Sequence, residues 1–270
     1  MTSFFSCPVC GNPLTGDKTL KCENNHSYDK NKHGYVNLLM SNAASSKRHG
    51  DDRLMVQART EFLEKGYYAP VREALTNTLL AHASQNMRIL DAGCGECWYT
   101  AHFAQALNDF APQIAGVDIS KDALRQGAKR GMKQLAVAST AKLPVASESC
   151  QAVLNIFSPP ELAEFHRVLS PDGVLIRALP MENHLLGLKQ AVYDNALLNP
   201  VPVTDISGYV LLDATPVHYR ITMNHSSDIW NLFTMTPYYY KTGKADQDKL
   251  RNLDTLSTEI EIIVLTYKKA

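Results

Sequence analysis

Nothing in this sequence is apolar over the roughly 18–20 consecutive residues that crossing a bilayer requires. Its start also lacks the basic, apolar and small-residue regions of a secretory leader. Both absences point to a cytoplasmic chain with no membrane partner, in a compartment where disulfides are rare. The six cysteines, Cys7, Cys10, Cys22, Cys94, Cys97 and Cys150, therefore read as metal ligands or free thiols. Net charge is missing as well, since Lys and Arg total 27 and so do Asp and Glu. The overall balance names no partner, but its distribution is uneven. Residues 1–50 carry six basic side chains against three acidic ones, and the remainder is slightly acidic. A basic end hints at a polyanion, although ordinary surface scatter accounts for it equally well. Internal repeats and low-complexity tracts are absent too. What remains is 270 residues, 45% apolar and 20% charged, enough for one large soluble domain or one domain plus a small module.

The small module is expected at residues 1–40, which are rich in turn formers. Cys7-Pro-Val-Cys10 is a tight turn that aims two sulfurs at one point, and Gly11 lets the backbone bend behind it. Cys22 and His26 follow after a short loop. Two such pairs complete a tetrahedron, which is what zinc prefers. About forty residues bury too little core to fold alone, so a metal supplies the missing stabilisation. A redox Cys-x-x-Cys normally sits beside a strand–helix–strand unit, and this one does not. Tyr28 and His33 read as packing residues. The segment 34–40 reads as a strand that packs the module together, and 41–50 as an exposed linker bearing Lys47, Arg48 and His49.

Residues 51–84 carry helical periodicity. One helix ends at Gly66 and a second starts at Pro70, with Tyr67 and Tyr68 in the corner between them. From residue 86 strand and helix alternate, with strands at 88–91, 114–118, 134–138, 152–157 and 174–178 and helices between most of them. The turn Ser170-Pro-Asp-Gly173 precedes the fifth of these. A helix near 184–194 and two late β segments, 217–222 and 259–267, complete the chain. Such alternation predicts an α/β domain over 85–270, a mostly parallel sheet closed by an antiparallel pair.

Ligands of such sheets sit over the carboxyl ends of the strands. There the chain places Asp91-Ala-Gly93-Cys-Gly95-Glu-Cys97-Trp98, then Asp118 and then Ser139. A dinucleotide fingerprint needs a small third residue where Trp98 stands. The spacing instead matches the Asp-x-Gly-x-Gly-x-Gly loop of class I S-adenosylmethionine-dependent methyltransferases, except that Cys97 replaces the last glycine. A Cβ at that position is expected to crowd the methionine end of the cofactor. In this resemblance Asp118 takes the ribose hydroxyls and Ser139 lies towards adenine. After the fourth strand comes Asn155-Ile-Phe-Ser-Pro-Pro160, where amino methyltransferases carry Asn/Asp-Pro-Pro-aromatic. No aromatic follows Pro160, so exocyclic-amine chemistry is not supported. Phe157 reads either as a buried strand residue or as a platform for a flipped base.

The whole layout resembles the RlmA family of 23S rRNA guanine-N1 methyltransferases. The motifs are Cys-x-x-Cys with Cys22 and His26, then Gly34-Tyr-Val-Asn-Leu-Leu39. Gly50-Asp51, Met55, Ala58-Arg59, Phe62-Leu63, Gly66, Tyr68 and Pro70 follow, ahead of Leu90-Asp-Ala-Gly-Cys-Gly-Glu96. The resemblance implies a Rossmann-like seven-stranded methyltransferase domain with an N-terminal zinc ribbon. It implies that the ribbon reads a 23S rRNA hairpin and that the protein is a homodimer. By position, Cys7, Cys10, Cys22 and His26 match zinc ligands, and Tyr68, Gly95, Glu96 and His184 match cofactor contacts. Asp91, Gly93, Asp118 and Ser139 join them from the loop pattern. No residue is named as the base that removes the guanine N1 proton. A small-molecule methyltransferase of the same fold, or a non-catalytic RNA-binding module with a degenerate pocket, are the alternatives.

Overall fold

The computed structural model describes residues 2–40 and 50–270. The basic linker stretch with Lys47, Arg48 and His49 lies outside the described residues. The N-terminal module consists of β1 (Thr2–Ser6), β2 (Pro13–Gly16), β3 (Thr19–Lys21) and β4 (Ser27–Asp29), paired antiparallel in that order. Next comes β5 (Val36–Asn37), within the segment expected to hold the module together. It does so through an antiparallel bridge from Val36 to Lys30, but its ladder runs elsewhere, as an extra strand on the main sheet.

Helices α1 (Arg53–Glu64) and α2 (Ala69–Ala81) follow. The Asp52 carboxylate caps α1 by accepting the amides of Leu54 and Met55, and Pro70 lies in the first turn of α2. The alternating region then gives β6 (Arg88–Ala92), α3 (Trp98–Ala106), β7 (Gln113–Asp118), α4 (Lys121–Lys129) and β8 (Leu135–Val137). It continues with β9 (Cys150–Ile156), α5 (Leu162–Val168), β10 (Leu169–Pro180) and α6 (Leu186–Val192). The chain ends with β11 (Tyr209–Met223), α7 (Ser226–Thr234), α8 (Tyr238–Lys241), α9 (Lys244–Arg251) and β12 (Leu256–Lys269). The Ser170–Gly173 turn is absorbed into β10 as an irregularity, where the register against β9 shifts between Leu169 and Val174.

The main sheet runs β11-β12-β10-β9-β6-β7-β8-β5. Strands β5 to β10 pair in parallel and β12 is antiparallel to both β10 and β11. Seven strands make up the class I methyltransferase sheet, and β5 adds an eighth beside β8. The order reverses between β6 and β9, so the carboxyl ends of β6 and β7 open beside a topological switch point. Among the described residues no helix is long and apolar enough to cross a membrane.

Side chains alternate across the strands, and each face buries its own core. Ile89, Ile114, Ala152 and Ile176 face helices α1 to α3, α6 and α7 on one side. Leu90, Ala115, Val153 and Leu175 face the other side, where the zinc module lies alongside α5. Phe4, Phe5, Leu14 and Leu20 are buried there with Val36 and Leu38. The module therefore serves as part of the second layer of the sandwich. Polar contacts tie the layers together. Ser6 donates its amide to Pro144 O (2.8 Å), Leu38 donates to Val137 O (2.9 Å), and Arg88 lies 4.2 Å over the Phe4 ring while donating to its carbonyl.

Candidate active site and metal centre

In the N-terminal module the turn after Cys7 is closed by Gly11 N–H to Cys7 O (2.8 Å), with Gly11 at φ +77°. Only a residue tolerant of that region fits there. The turn brings Cys10 Sγ to 3.7 Å from Cys22 Sγ, and His26 Nδ1 to 3.5 Å from Cys7 Sγ and 3.4 Å from Cys22 Sγ. All four ligand atoms lie within 4.8 Å of one another. Ligands about 2.0–2.3 Å from a central ion stand about 3.3–3.8 Å apart in a tetrahedron, so the donor set and its separations of 3.4, 3.5 and 3.7 Å fit zinc. Tyr28 lies 3.2 Å from Cys7 Sγ and orients it rather than joining the ligand set. Burial pushes the Cys7 thiol up, but hydrogen bonds from Tyr28 and nearby amides outweigh it and bring it down to about 6.

At the sheet end, β6 stops at Ala92 and the loop folds back so that the Gly93 and Cys94 amides both donate to Val117 O (2.8 and 3.0 Å). Gly93 has φ +88°, and a Cβ there would stand 2.5 Å from Ser158 Oγ. Gly95, at φ +53°, donates its amide to Asp118 Oδ2 (2.8 Å), while Ser120 N–H donates to Asp118 Oδ1 (2.7 Å). Asp91 is 2% exposed. Its Oδ2 accepts from Thr100 Oγ1 (2.6 Å) and its Oδ1 has no partner. Burial pushes this carboxyl up to about 7, partly offset by Thr100. An unpaired buried carboxylate oxygen costs about 1–3 kcal/mol, which a cationic or hydrogen-bond-donating ligand would recover.

Cys97 stands, through its sulfur, 4.0 Å from Gly95 O. It adopts φ +61° at the N-cap of α3 and is fully buried, with its sulfur against α4. A Cβ on Gly127 would lie 2.6 Å from Cys97 Sγ, and one on Gly116 would lie 2.7 Å from Cys94 Sγ. Two glycines, on α4 and β7, thus make room for the two thiols. Glu96 is also buried, and it accepts from Thr60 Oγ1 and from Arg130 Nη2 (3.0 and 3.2 Å), knotting the loop to α1 and α4. Ser139 follows β8 and accepts from Ala141 N (3.2 Å), next to Ala138, whose amide donates to Asp118 O.

A second group closes the site from the helical side. Tyr68, at the start of α2, lies 3.2 Å from His184 Nε2. Glu261 donates its backbone amide to His184 Nδ1 (3.3 Å), and burial pushes the imidazole down to about 3. The ring is therefore neutral with its proton on Nε2, which donates to Tyr68 Oη. Tyr68 keeps its own hydroxyl proton for another acceptor. Phe157 stacks parallel to His184 (6.4 Å, 7°) and edge-on to Tyr68 (6.2 Å), with Tyr99 6.4 Å away. Phe157 is 40% exposed and holds φ +53°, a conformation disfavoured for an aromatic residue. It is thus not the buried strand residue that its position suggests. The turn behind it is fixed by a chain of polar groups. Buried Arg177 donates to Asn155 Oδ1 (3.2 Å), Asn155 Nδ2 donates to Ser158 Oγ (2.6 Å), and Ser158 Oγ donates to Ala92 O (2.9 Å).

The fold brings Asp91, Gly93, Gly95 and Asp118 around one loop, with Ser139 next to the Ala138 amide that bonds Asp118 O, and it joins Tyr68 and His184, which the family resemblance named 116 residues apart. Tyr99 had no signal in the sequence, yet its hydroxyl is buried without a partner. Arg59 also lies here, 3.7 Å from where a Gly95 Cβ would be, paired with Asp51 and bonded to Met235 O (3.1 Å). Its signal was the Ala58-Arg59 motif.

The sheet order, the glycine loop and the acids ending β6 and β7 define a class I methyltransferase carrying a zinc ribbon. Comparison with known families agrees, matching the N-terminal zinc ribbon of RlmA over residues 5–47 and a methyltransferase domain over 89–173. S-adenosylmethionine is the cofactor of such a domain, and zinc is the ion such a ribbon holds. YxjB of Bacillus subtilis (strain 168) carries the name of a candidate 23S rRNA (guanine-N1)-methyltransferase. It is 31% identical over 99% of this chain and 98% of its own length. A Streptomyces fradiae protein named 23S rRNA (guanine(748)-N(1))-methyltransferase is 32% identical over 70% of this chain and 68% of its own. The chain belongs to this family of rRNA guanine-N1 methyltransferases.

Proposed function

We propose that the protein transfers a methyl group from S-adenosylmethionine to N1 of a guanine in a 23S rRNA hairpin, as a cytoplasmic homodimer. The observation that carries the reading is the zinc-ligand cluster built into the second layer of a methyltransferase sheet, in a chain similar along its length to proteins of that name. Cys7, Cys10, Cys22 and His26 hold the zinc, and the ribbon presents the RNA. The homodimer is supported by edge strand β11, which leaves Val210, Leu211 and Leu212 exposed in a row.

Bound S-adenosylmethionine supplies an electrophilic methyl group on a cationic sulfur. Asp91 faces the cationic amino-acid end with its unpaired oxygen, and Gly93 and Gly95 admit it because side chains there would collide or strain. Asp118 takes the ribose hydroxyls and Ser139 the adenine edge. Glu96 holds the loop against α1 and α4. Tyr68, oriented by neutral His184, donates its hydroxyl proton into the pocket. Phe157 offers its face to the extruded guanine. Guanine N1 is a weak nucleophile until its proton leaves. Burial holds the Tyr68 and Tyr99 hydroxyls well above their ordinary range, and both nitrogens of His184 are engaged, so none of the three takes that proton.

The test is transfer of tritiated methyl from S-adenosylmethionine to unmodified 23S rRNA, followed by nucleoside analysis. The reading expects 1-methylguanosine as the labelled product; label on another nucleoside, or none, refutes it. The non-catalytic alternative rested on Cys97, whose side chain packs on Gly127.

A further inference from the structure

The zinc module meets α4 in a way that puts like charges face to face. On α4, Lys121, Arg125 and Lys129 recur at every fourth residue and so share one side of the helix, about 6 Å apart along its axis. Against that side lies the turn from Lys30 to Gly34. The turn is fixed by Asn31 N–H to Tyr35 O (2.7 Å), Gly34 N–H to Asn31 O (2.8 Å) and His33 N–H to Asn31 Oδ1 (3.0 Å). It rests on α4 beside Ala128, whose Cβ is 3.7 Å from where a Gly34 Cβ would be. The turn brings Lys30, Lys32 and His33 to the cationic stripe.

Acidic groups offset only part of this charge: Asp122 meets Arg125, and Asp29 lies at the edge of the cluster. Lys30, Lys32, Lys121 and Lys129 have no ion-pair partner among the described residues. Arg125 pairs with Asp122 (3.5 Å), and Asp29 accepts from Thr19 Oγ1 (2.6 Å). His33 registers the field, since its charged form is disfavoured first by burial and then by Arg125, Lys32 and Lys129. Between the turn and the start of α4 lies a cavity of about 340 Å³, lined by Lys30, Asn31, Tyr35, Asn37 and Lys121 together with Asp29, whose Oδ1 is held by Thr19 Oγ1. A fold that holds cations together around a cleft pays a repulsion that an anion removes.

We propose that the cleft between the Lys30–Gly34 turn and α4 binds the phosphate backbone of the rRNA substrate, as an anchor separate from the guanine pocket; this rests on the rRNA reading above. The axial spacing of the α4 cations resembles that of successive phosphates along a strand, and the neutral polar residues Asn31 and Asn37 line the same cavity. Lys121 stands three residues beyond Asp118, so the backbone would enter on the ribose side of the cofactor loop, while Phe157 lies past β9. The two parts of the chain thus hold one strand jointly, which gives their shared core a purpose. It also reconciles RNA binding with a net charge of zero, because the positive charge is concentrated where it is used.

The test is the salt dependence of binding to unmodified 23S rRNA transcript by the full-length, zinc-loaded protein and by its Lys30→Gln/Lys121→Gln/Lys129→Gln variant. Each lost phosphate contact lowers the slope of log K against log salt by about 0.7–0.9. The variant should therefore show a slope shallower by about 2, weaker binding at low salt, and unchanged calorimetric affinity for S-adenosylmethionine. A wild-type slope in a variant that still binds the transcript overturns the cleft and leaves the methyltransferase reading standing. Loss of cofactor affinity in the variant also overturns it, by placing the lysines in the cofactor pocket. Wild-type protein that neither binds nor methylates the transcript overturns both.

Discussion

Two Cys-x-x-Cys turns occur in this chain, and the fold uses them in opposite ways. Cys7-Pro-Val-Cys10 sits in a module whose own strands are only a few residues long. Its sulfurs converge with Cys22 and His26, and the Cys7 thiol is brought down to about 6 as the hydrogen bonds from Tyr28 and backbone amides outweigh burial. Cys94-Gly-Glu-Cys97 sits between β6 and α3, the place a redox pair would take. There each sulfur fills the space above a glycine, and burial pushes the Cys94 thiol well above its ordinary range. Spacing puts two thiols near one another. What surrounds them decides whether they become ligands or packing atoms.

Metal removal should separate the two turns most sharply. Structural zinc contributes on the order of 10 kcal/mol to the folding of small modules. Cys22→Ala, or a strong chelator, should therefore unfold β1 to β4 and bare the sheet face that Phe4 and Phe5 cover. The expected readouts are a fall in Tm of more than about 10 °C and rapid alkylation of the remaining module thiols, with Cys94 and Cys97 still protected. A module that stays folded without metal would erase the contrast.

The second turn is tested by its glycine. Gly127→Ala places a methyl group 2.6 Å from Cys97 Sγ, an overpacking that should cost about 1–3 kcal/mol. Cys97→Gly clears that space and relieves a positive φ, so the double variant should recover most of the loss in a denaturation cycle. Additive effects would show that the sulfur does not pack where it is placed.

How much of this was legible in the sequence follows from the same contrast. Ligand spacing and the glycine loop are local, so Cys7 to His26 and Asp91 to Asp118 could be read directly. The strand–helix alternation was equally local, and it gave the methyltransferase sheet with boundaries off by a residue or two at most ends, though β11 extends well past its apolar signal. Contacts set by three-dimensional complementarity carried no signal. Phe4 and Phe5, unmarked by any motif, form a layer with Leu90 and Val153. The pairing of Val36 with Ala136, the Tyr68–His184 contact and the docking of Cys97 on Gly127 each join distant parts of the chain. The αL backbone of Phe157 depends on the Arg177–Asn155–Ser158 chain, which no period in the sequence encodes.

The smallest effect is expected at Asp91, the buried carboxyl at the end of β6 beside the glycine loop. Burial holds Asp91 protonated up to about pH 7. Unfolded, the same carboxyl titrates near 4, so between those values the folded chain binds a proton that the unfolded chain does not. Folding stability from this group is therefore present at low pH and lost as pH rises towards 7. A cationic ligand facing Oδ1 needs the ionised form. Its affinity should rise about tenfold per pH unit below 7 and level off above it. Calorimetric titration of S-adenosylmethionine between pH 5.5 and 8.5 checks this. Asp91→Asn should bind more weakly at high pH and lose the rise, whereas a rise that persists in Asp91→Asn would assign the proton to another group.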